Sequence, residues 1–418
     1  MDPQTRLLAL VMAGGRGARL YPLTLERAKP AVPFGARYRI IDFVLSNLVN
    51  SGIRAIYVLT QYKAQSLVEH IQRTWSMRNS YSDFVTVVPA QMRIGESWYR
   101  GTADSVYQNF QMVEDYRPDL VLVFGADHVY KMNVRQMVDF HKDRNAVATV
   151  ACIPTPVSEA SSFGVVQAEP DGRITGFQEK PDRDTFTMPG DPTHCLASMG
   201  NYIFAPGPLA AALLRDAEAE SHHDFGRNIL PEMLKSGRVY AYDFSQNRIP
   251  GVTDAGEHAY WRDVGTIEAY YEANLDLKNV VPHFNLYNWE WPILSANYPD
   301  PPSKLVFDDP ERRGVVLQSI IAGGCIVAGG FVKDSLLGRN VFVGEGAEIR
   351  DSILLDNVHV GRRARVQRAI IDKNVRVADG DHIGHALARD AIRHHVSDGG
   401  ITVVAKARDT LVTRSRDL

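Results

Sequence analysis

Three glycines and three basic residues lie close together near the start of the chain. The apolar run from Leu7 to Ala13 has the character of a buried strand, and Gly-Gly-Arg-Gly-Ala-Arg follows it directly. Glycine lets backbone N–H groups approach an anion closely, while arginine and lysine supply positive charge. The pattern therefore predicts a triphosphate site. The residues concerned are Gly14, Gly15, Gly17, Arg16, Arg19 and Lys29.

This loop differs from the two common phosphate-binding loops. It lacks the Gly-Lys-Ser/Thr ending of a P-loop, and no third glycine completes the G-x-G-x-x-G pattern of dinucleotide-binding folds. Glycine-rich turns after strands also occur in α/β proteins that bind nothing there. The nearby positive charges are therefore the feature that favours anion binding.

A carboxylate follows a second buried strand. Asp127 comes after the apolar run 121–124, and a phosphoryl-transfer site needs such a group at the end of a central strand to hold Mg²⁺. An aspartate in this position also commonly caps a turn or a helix. His128 is expected to be structural, because Mg²⁺ prefers oxygen ligands.

Alternating strands and helices must position these groups. Such an order predicts an α/β fold with parallel βαβ units, in which ligands bind at the carboxyl ends of the strands. A helix is expected over 42–50, ending at Ser51-Gly52, and another from near Thr102. The predicted strands are 7–13, 55–59, 84–88, 120–124 and 146–152.

Apolar residues recur in a different pattern beyond residue 314. They form four triads whose members are six residues apart, and corresponding members of successive triads are separated by 17 residues. Hexapeptide repeats build a parallel β-helix, whereas helices would give periods of three and four. Gly344 and Gly361 suit its tight corners. The triads are Ile320, Ile326, Val332; Leu337, Val343, Ile349; Leu354, Val360, Val366; and Ile371, Val377, Ile383.

Composition excludes several classes of function. The chain has 418 residues, 45% of them hydrophobic and 23% charged, and a net charge of −3. This charge gives no general attraction to nucleic acid or to an anionic membrane. The N-terminal apolar run is too short for a signal sequence or a membrane span, which predicts a cytoplasmic protein. Cys152, Cys195 and Cys325 are far apart, so neither a zinc site nor a disulfide framework is expected.

Longer motifs resemble a known enzyme family. GGRGARLYPLT followed by Lys29-Pro30 is similar to the signature of sugar-phosphate nucleotidyltransferases, and ESWYRGTADSVYQN resembles the ADP-glucose pyrophosphorylase branch of them. The resemblance extends from Met12 through Ile383. It implies a Rossmann-like domain with a mostly parallel sheet, followed by a left-handed parallel β-helix. It also implies adenylyl transfer from ATP to α-D-glucose 1-phosphate, the committed step of glycogen synthesis.

The resemblance assigns residues to ATP and to the metal. It implies that Asp127 and Asp263, the latter in Trp-Arg-Asp-Val-Gly-Thr, share Mg²⁺, and that Tyr99 lies near the adenine. Gln91 and Trp98 correspond to loops that transmit activation. The implied catalytic residues are Arg19, Lys29, Asp127 and Asp263, and the implied nucleotide-binding residues are Gly14, Gly15, Gly17, Gln91, Tyr99 and Gly101.

Further motifs are similar to the glucose 1-phosphate elements of the family, at 163–165, 177–181 and 198–202. Lys180 is expected to hold the sugar phosphate and Glu179 its hydroxyls, although Lys-Pro alone would indicate an exposed turn. The segment 221–229 resembles a structural and hydroxyl-binding element, with histidine in place of serine at 222. The implied sugar-phosphate residues are Tyr99, Gly164, Glu179, Lys180 and Ser198.

The resemblance also implies allosteric regulation by glycolytic intermediates and a homotetramer. Glu26 and Pro33 replace a lysine and a histidine of relatives activated by fructose 1,6-bisphosphate, so fructose 6-phosphate or pyruvate is the expected activator. AMP, ADP or phosphate are the expected inhibitors. A second basic cluster, Arg362, Arg363, Arg365 and Arg368, fits either an effector or solvent. The implied effector residues are Arg27, Arg39, Lys373 and Lys406.

The sequence divides into a catalytic domain over 1–280, a proline-rich linker over 281–314 and a β-helix domain over 315–418. Two other functions remain open at this point. One is a regulatory subunit that binds nucleotide without turnover, against which the retained Asp127 and Lys180 argue. The other is an acyl transferase, because hexapeptide β-helices host acyl transfer at a histidine and this one carries His359, His382 and His385.

Overall fold

A computed structural model describes residues 5–75, 83–91, 98–235, 237–253, 255–310 and 312–406. The chain divides into two compact units. The first comprises Met1–Gly15, Ile41–Trp261 and Tyr287–Leu294, and the second comprises Arg16–Ile40, Arg262–Leu286 and Ser295–Leu418. Across the described ranges, none of the helices is both long enough and apolar enough to span a bilayer.

The helices of the described residues are short to medium in length. They are Ile40–Asn50 (α1), Gln65–Thr74 (α2), Thr102–Tyr107 (α3), Gln111–Tyr116 (α4), Val134–Asp143 (α5), Pro206–Glu218 (α6), Leu230–Leu234 (α7), Ala255–His258 (α8), Ile267–Asp276 (α9) and Leu387–Arg393 (α10).

Most strands before residue 244 have five to eleven residues, and those after it have two or three. They are Leu7–Met12 (β1), Pro33–Phe34 (β2), Tyr38–Arg39 (β3), Ala55–Thr60 (β4), Phe84–Pro89 (β5), Leu120–Gly125 (β6), His128–Tyr130 (β7), Ala148–Pro156 (β8), Gly164–Ala168 (β9), Ile174–Glu179 (β10), His194–Phe204 (β11), Val239–Asp243 (β12), Trp261–Asp263 (β13), Lys304–Val306 (β14), Val315–Leu317 (β15), Ile320–Ile321 (β16), Ile326–Ala328 (β17), Phe331–Lys333 (β18), Leu336–Leu337 (β19), Phe342–Val343 (β20), Glu348–Arg350 (β21), Ile353–Leu354 (β22), His359–Val360 (β23), Arg365–Gln367 (β24), Ala369–Ile371 (β25), Arg376–Val377 (β26), His382–Ile383 (β27), His395–Val396 (β28) and Thr402–Val404 (β29).

The first unit is built on one large sheet with the strand order β10-β9-β11-β6-β1-β4-β5. In addition, β8 pairs with β11, and β12 pairs with β8. Strands β6, β1, β4 and β5 are parallel, whereas β11 runs antiparallel to β6, β8 and β9. The predicted α/β class is confirmed, and the five predicted strands are present. The last of them, predicted at 146–152, extends instead over Ala148–Pro156.

The parallel half of this sheet positions the predicted phosphate loop. Strand β1 is almost completely buried, as expected for a strand with neighbours on both edges and covered faces. Met12 of β1 is in register with Gly125 of β6. Gly14 and Asp127 therefore follow the carboxyl ends of two neighbouring strands, where open α/β sheets bind their ligands.

The second unit contains three sheets of short strands, with the orders β14-β17-β20-β23-β26, β15-β18-β21-β24-β27 and β16-β19-β22-β25-β29-β28. Their pairs are parallel except that β28 runs antiparallel to β29. Successive coils contribute one strand to each sheet, and the apolar side chains fill the interior. This arrangement is consistent with the predicted left-handed parallel β-helix. Its first strand, β14, lies within the stretch 281–314 that the sequence analysis described as a linker.

The first coil departs from the predicted 17-residue repeat. Leu337 pairs with Ile321 rather than Ile320, and Val343 pairs with Val327 rather than Ile326, so the register there is 16 residues. The prediction that placed Ile320 and Ile326 in the first triad was wrong. The cause is the corner between β17 and β18, which is one residue shorter than the corners of later coils. From Leu337 onward the predicted triads are confirmed, and all their members are buried.

Left-handed backbone marks the corners of the β-helix. One column of corners contains Asn340, Asn357 and Asn374, with φ of 57°, 60° and 62°. Their side chains form a ladder, in which Asn357 Nδ2 donates to Asn374 Oδ1 over 2.9 Å. Asparagine is among the few residue types other than glycine that adopt this conformation readily. These asparagines are 17 residues apart, the same spacing as the apolar triads, so they too indicate the coil repeat.

Candidate active site

The glycine loop needs a glycine at position 17. Gly17 has φ +62°, and a Cβ there would lie 2.7 Å from Lys29 Cβ and 3.1 Å from Thr24 Cγ2. Thr24 Oγ1 donates to the Gly17 carbonyl over 3.0 Å, which fixes the turn. Gly15, in contrast, faces open space. A side chain at 17 would displace Lys29.

Three of the four predicted catalytic residues lie together in the second unit. Lys29 Nζ donates to Asp263 Oδ1 over 2.7 Å, and Arg19 Nη2 donates to Asp263 Oδ2 over 3.3 Å. The Lys29 side chain is only 6% exposed and that of Asp263 18%, whereas Arg19 is largely in solvent. In such an arrangement, phosphate oxygens can replace the carboxylate as the partner of the two cations, and a metal ion can replace the cations as the partner of the carboxylate.

The fourth predicted catalytic residue, Asp127, follows β6 in the first unit. Its side chain is 41% exposed, and its Oδ1 lies 3.5 Å from Nδ1 of His128. Asp127 and Asp263 each offer a carboxylate oxygen as a ligand atom, and His128 offers a ring nitrogen. The two carboxylates have the oxygen chemistry that Mg²⁺ prefers.

The predicted adenine residue, Tyr99, is held by two amide side chains. Asn109 Nδ2 donates to the Tyr99 hydroxyl over 2.8 Å, and Gln61 Nε2 donates to its carbonyl over 3.4 Å. Gln61 also borders the phosphate loop, because a Cβ at Gly14 would lie 3.6 Å from Gln61 Cβ. Exposed Gln91 comes just after β5, and residues 92–97 of this loop lie outside the described residues.

Gly101 is packed directly against another backbone segment. A Cβ at this position would clash with the carbonyl oxygens of His222 and His223, so only glycine fits. The adjoining Thr102 Oγ1 donates to Asp224 Oδ2 over 2.9 Å and accepts from the Phe225 amide over 3.1 Å. The first turn of α3 is therefore joined to the segment 222–225.

The predicted sugar-phosphate residues of β9 and β10 are adjacent. Gly164 is in register with Glu179, and a Cβ at Gly164 would lie 3.0 Å from Glu179 Oε2 and would clash with the Phe177 ring. Lys180 follows with φ +50°, and its amide donates to the Phe163 carbonyl over 3.0 Å. This backbone arrangement brings Glu179 beside Gly164 and places Lys180 at the end of β10.

The electrostatics of Glu179 reflect its surroundings. Burial raises the pKa of the Glu179 carboxyl above its ordinary value, and the negative charge of Asp224 raises it further. Lys180 and Arg227 oppose this shift. On β11, Ser198 Oγ accepts from the Gly200 amide over 3.3 Å, and Tyr202 is a buried tyrosine whose ring stacks on Phe225 at 5.6 Å. A carboxylate and hydroxyls of this kind suit recognition of sugar hydroxyls.

Two of the four predicted effector cations, Arg27 and Lys373, are paired with carboxylates in the second unit. Arg27 forms a bidentate pair with Asp372, with N–O distances of 2.9 to 3.0 Å, and Lys373 Nζ lies 2.9 Å from Asp356 Oδ2. Burial lowers the pKa of Lys373, and the charges of Arg39 and Arg27 lower it further while Asp356 opposes them. Lys406 lies two residues beyond the end of β29.

Sequence reasoning missed several polar residues of these sites. Thr102 and Asp224 link the two substrate sides, and Asp356 and Asp372 accompany the effector cations. The aspartates in the β-helix had a readable signal, because each comes directly after a buried apolar residue, Leu355 and Ile371. Thr102 and Asp224 each belong to a recognised motif, but no local pattern indicates that they pair across 122 residues.

Comparisons with known proteins agree with this architecture. A family model described as nucleotidyl transferase matches residues 8–280, and one described as GlmU-like, C-terminal hexapeptide matches residues 301–404. The first match covers well over half of the chain. The sheet, the glycine loop and the family match together define the chain as a nucleotidyltransferase.

Curated relatives narrow this class. A protein of Anaeromyxobacter dehalogenans named glucose-1-phosphate adenylyltransferase is 54% identical over 404 residues, which is 96% of this chain and 98% of that protein. A protein of the same name from Thermus thermophilus is 55% identical over 347 residues, which is 81% of this chain and 83% of that protein. Another from Corynebacterium jeikeium is 47% identical over 408 residues, which is 97% of this chain and 99% of that protein. The chain belongs to the glucose-1-phosphate adenylyltransferase family.

Proposed function

We propose that this protein transfers the adenylyl group of ATP to α-D-glucose 1-phosphate. A phosphate oxygen of the sugar phosphate attacks the α-phosphorus of ATP, the bond from the α-phosphorus to the bridging oxygen breaks, and pyrophosphate leaves. The products are ADP-glucose and pyrophosphate. No covalent enzyme intermediate is needed, so catalysis rests on positioning and on neutralising charge.

The observation that carries this proposal is the arrangement of Lys29, Arg19 and Asp263. A buried lysine and an exposed arginine converge on one carboxylate, beside a turn that requires Gly17. Transfer of a phosphoryl group needs such cations to stabilise the charge that develops on the transferring group. The name shared by relatives that cover nearly the whole chain supports the choice of substrates.

The roles proposed for the chain's own residues follow from their chemistry. Backbone N–H groups of the glycine loop bind the triphosphate, and Arg19 and Lys29 stabilise the transferring phosphate. Tyr99 lies beside the adenine. On the sugar side, Lys180 binds the phosphate of glucose 1-phosphate, and Glu179 accepts hydrogen bonds from its hydroxyls. The remaining proposed contacts are Gly14, Gly15, Gly17, Gln91 and Gly101 for the nucleotide and Gly164, Ser198 and Tyr99 for the sugar phosphate.

Asp127 and Asp263 are the proposed holders of Mg²⁺. Both are carboxylates with oxygen donors, which fits a hard divalent cation. When bound, Mg²⁺ would neutralise phosphate charge and align the phosphates for in-line displacement. Lys29 and Arg19 balance the charge of Asp263, which Mg²⁺ would share when bound.

Regulation and assembly are part of the same proposal. Basic residues at Arg27, Arg39, Lys373 and Lys406 would form the effector site, with fructose 6-phosphate or pyruvate as activator and AMP, ADP or phosphate as inhibitor. The exposed ends of the β-helix favour contacts between subunits in a homotetramer. Activation assays with each compound and light scattering of the purified protein test these two points separately.

Specificity gives the main test of the substrates. Pyrophosphate release is measured for the full chain with glucose 1-phosphate and each of ATP, UTP, dTTP, GTP and CTP in the presence of Mg²⁺. ATP is expected to give the highest kcat/KM. No release with ATP would contradict the proposal, and it would leave the regulatory-subunit alternative as the better account.

A further inference from the structure

A partly buried network of three side chains lies at the end of α6 in the first unit. Ser221 Oγ donates to Asp216 Oδ1 over 2.7 Å, and His223 Nδ1 lies 2.9 Å from Asp216 Oδ2. Because an ionised carboxylate only accepts hydrogen bonds, His223 Nδ1 carries the proton and donates. The His223 amide donates in turn to Ser221 Oγ over 2.9 Å. The Asp216 carboxylate thus binds both ends of the segment 221–223.

The backbone that this network holds is left-handed. His223 has φ +51°, a conformation that only a few per cent of residues other than glycine adopt, asparagine, aspartate and histidine most often. The side chains of His223 and Asp216 are 6% and 8% exposed. A strained conformation of this kind persists only where its surroundings determine it. Here the hydrogen bonds to Asp216 and Ser221 do so.

The held segment touches both proposed substrate sides. The His223 carbonyl accepts from the Ala103 amide over 2.8 Å, and Gly101 is packed against it. The next residue, Asp224, accepts from Thr102 Oγ1 and from the Gly226 amide over 2.9 Å in each case. Gly226 is packed against the Glu179 carboxylate.

We infer that Asp216, Ser221 and His223 form a positioning network that fixes Asp224 and Gly226 against Glu179 and so sets the affinity for glucose 1-phosphate. None of the three needs to touch substrate. The inference rests on the proposed function, in which Glu179 binds the sugar. Of the proposed nucleotide residues, Gly101 packs against the held segment whereas Tyr99 is held by Asn109 and Gln61, so the KM for ATP should change less than the KM for glucose 1-phosphate.

Four variants separate the hydrogen bonds from the backbone conformation. Asp216→Asn and Ser221→Ala each break the network while changing few atoms. His223→Gly accepts the left-handed φ but removes the side-chain donor. His223→Asn accepts the same φ and keeps a donor, because Asn Nδ2 stands where His Nδ1 stood. Steady-state kinetics with each substrate varied, together with the thermal midpoint, are measured for all four.

We expect Asp216→Asn and His223→Gly to raise the KM for glucose 1-phosphate by about 10- to 100-fold, with kcat and the KM for ATP within about threefold of the wild type. His223→Asn should stay within about threefold throughout. A purely structural role would lower the folded fraction and thus the apparent kcat, and would leave the KM unchanged. That result, in variants that fold, would overturn the inference.

An exposed cluster of similar composition, with threonine in place of serine, is the control. Asp191 accepts from Thr193 Oγ1 over 2.5 Å and lies 2.8 Å from His194 Nδ1, and both the Asp191 and His194 side chains are more than 40% exposed. Asp191→Asn should leave every kinetic constant unchanged. An equal effect of Asp191→Asn and Asp216→Asn would also overturn the inference.

Failure of a variant to fold and failure of the proposed function lead to different conclusions about the network. If Asp216→Asn does not fold, the comparison of His223→Gly with His223→Asn decides, since both accept the native backbone. A rise in KM in the glycine variant alone supports the network, and equal KM values contradict it. A wild type that makes no ADP-glucose refutes the proposed function instead, and isothermal titration of glucose 1-phosphate into the same variants then tests the network by affinity.

Discussion

Lys29 and Arg27 are two residues apart, yet their ion pairs differ in kind. Lys29 contacts one oxygen of Asp263 from a single Nζ, and Asp263 keeps 18% of its side chain exposed. Arg27 contacts both oxygens of Asp372 in a bidentate pair, and both side chains are less than 10% exposed. In the proposed mechanism Lys29 exchanges its partner for substrate, whereas the Arg27–Asp372 pair is buried on both sides.

The comparison shows how one segment combines chemistry with architecture. Asp263 comes just before α9, and Asp372 follows the β-helix strand β25. A lysine is a point charge on a flexible stem, so its partner can change, whereas the planar guanidinium of arginine fixes the geometry of a buried pair. We therefore expect Lys29 and Asp263 to matter for turnover and Arg27 and Asp372 to matter for stability.

The largest expected effect is on turnover, from the carboxylates proposed to hold the metal. Asp263→Asn and Asp127→Asn should each lower kcat by about 10³-fold or more with an unchanged circular-dichroism spectrum, because Mg²⁺ loses a charged ligand. Asp372→Asn is the matched control and should leave kcat of the folded enzyme within about threefold. Near-normal turnover of Asp127→Asn would remove that residue from the mechanism.

Replacement of the lysine comes next. Lys29→Met should lower kcat by about 10²- to 10³-fold, the usual loss when one group that stabilises transition-state charge is removed. The KM for glucose 1-phosphate should change little. Steady-state kinetics at saturating Mg²⁺ provide the measurement. A variant whose kcat is normal and whose thermal midpoint has fallen would show that Lys29 is structural and that the contrast with Arg27 is false.

Replacement of the arginine should act on stability. Arg27→Met leaves the buried Asp372 carboxylate without its main partner, which should lower the free energy of unfolding by about 3 kcal/mol, with unactivated kcat little changed. Urea titration measures the loss. Arg362→Met, which breaks the exposed bidentate pair with Asp379, is the control and should leave the midpoint unchanged. Equal midpoints for both variants would contradict the proposed role of burial.

The smallest effect concerns pH. The pKa of Lys373 lies below its ordinary value in the folded chain, so between the folded and unfolded pKa values the unfolded chain binds more protons and stability rises with pH. Arg27→Met removes one positive charge that lowers this pKa, which should flatten the rise. Lys29→Met should leave the rise of stability with pH unchanged. Urea unfolding from pH 7 to 11 measures the slopes, and identical slopes for wild type and Arg27→Met would contradict the assignment.

Much of the fold was readable from the sequence because it depends on local periodicity. The buried strands, the helix before Ser51-Gly52 and the hexapeptide triads from Leu337 onward all follow from repeating apolar positions. The first coil was misread because a shortened corner at Gly329-Gly330 changes the register without changing the apolar character. Such a deletion is visible only in the pairing of strands.

The site was predictable only where motifs carried it. The loop with Gly17 and Lys29 was recognised as one string, and the structure adds that a glycine is needed at 17 because Lys29 packs against it. The partners of Arg27 and His223 were not foreseen. Asp372 is 345 residues from Arg27, and the network around Asp216 involves common residue types at unremarkable spacings. Partner choice of this kind depends on tertiary packing, which no local pattern encodes.

The bond that breaks in ATP tests the central claim most directly. The full chain is incubated with Mg²⁺, glucose 1-phosphate and ATP labelled either in the α- or in the γ-phosphate, and the products are separated by chromatography. Adenylyl transfer predicts the α-label in ADP-glucose and the γ-label in pyrophosphate. A γ-label in orthophosphate or in a sugar bisphosphate, with no labelled sugar nucleotide, would contradict the account.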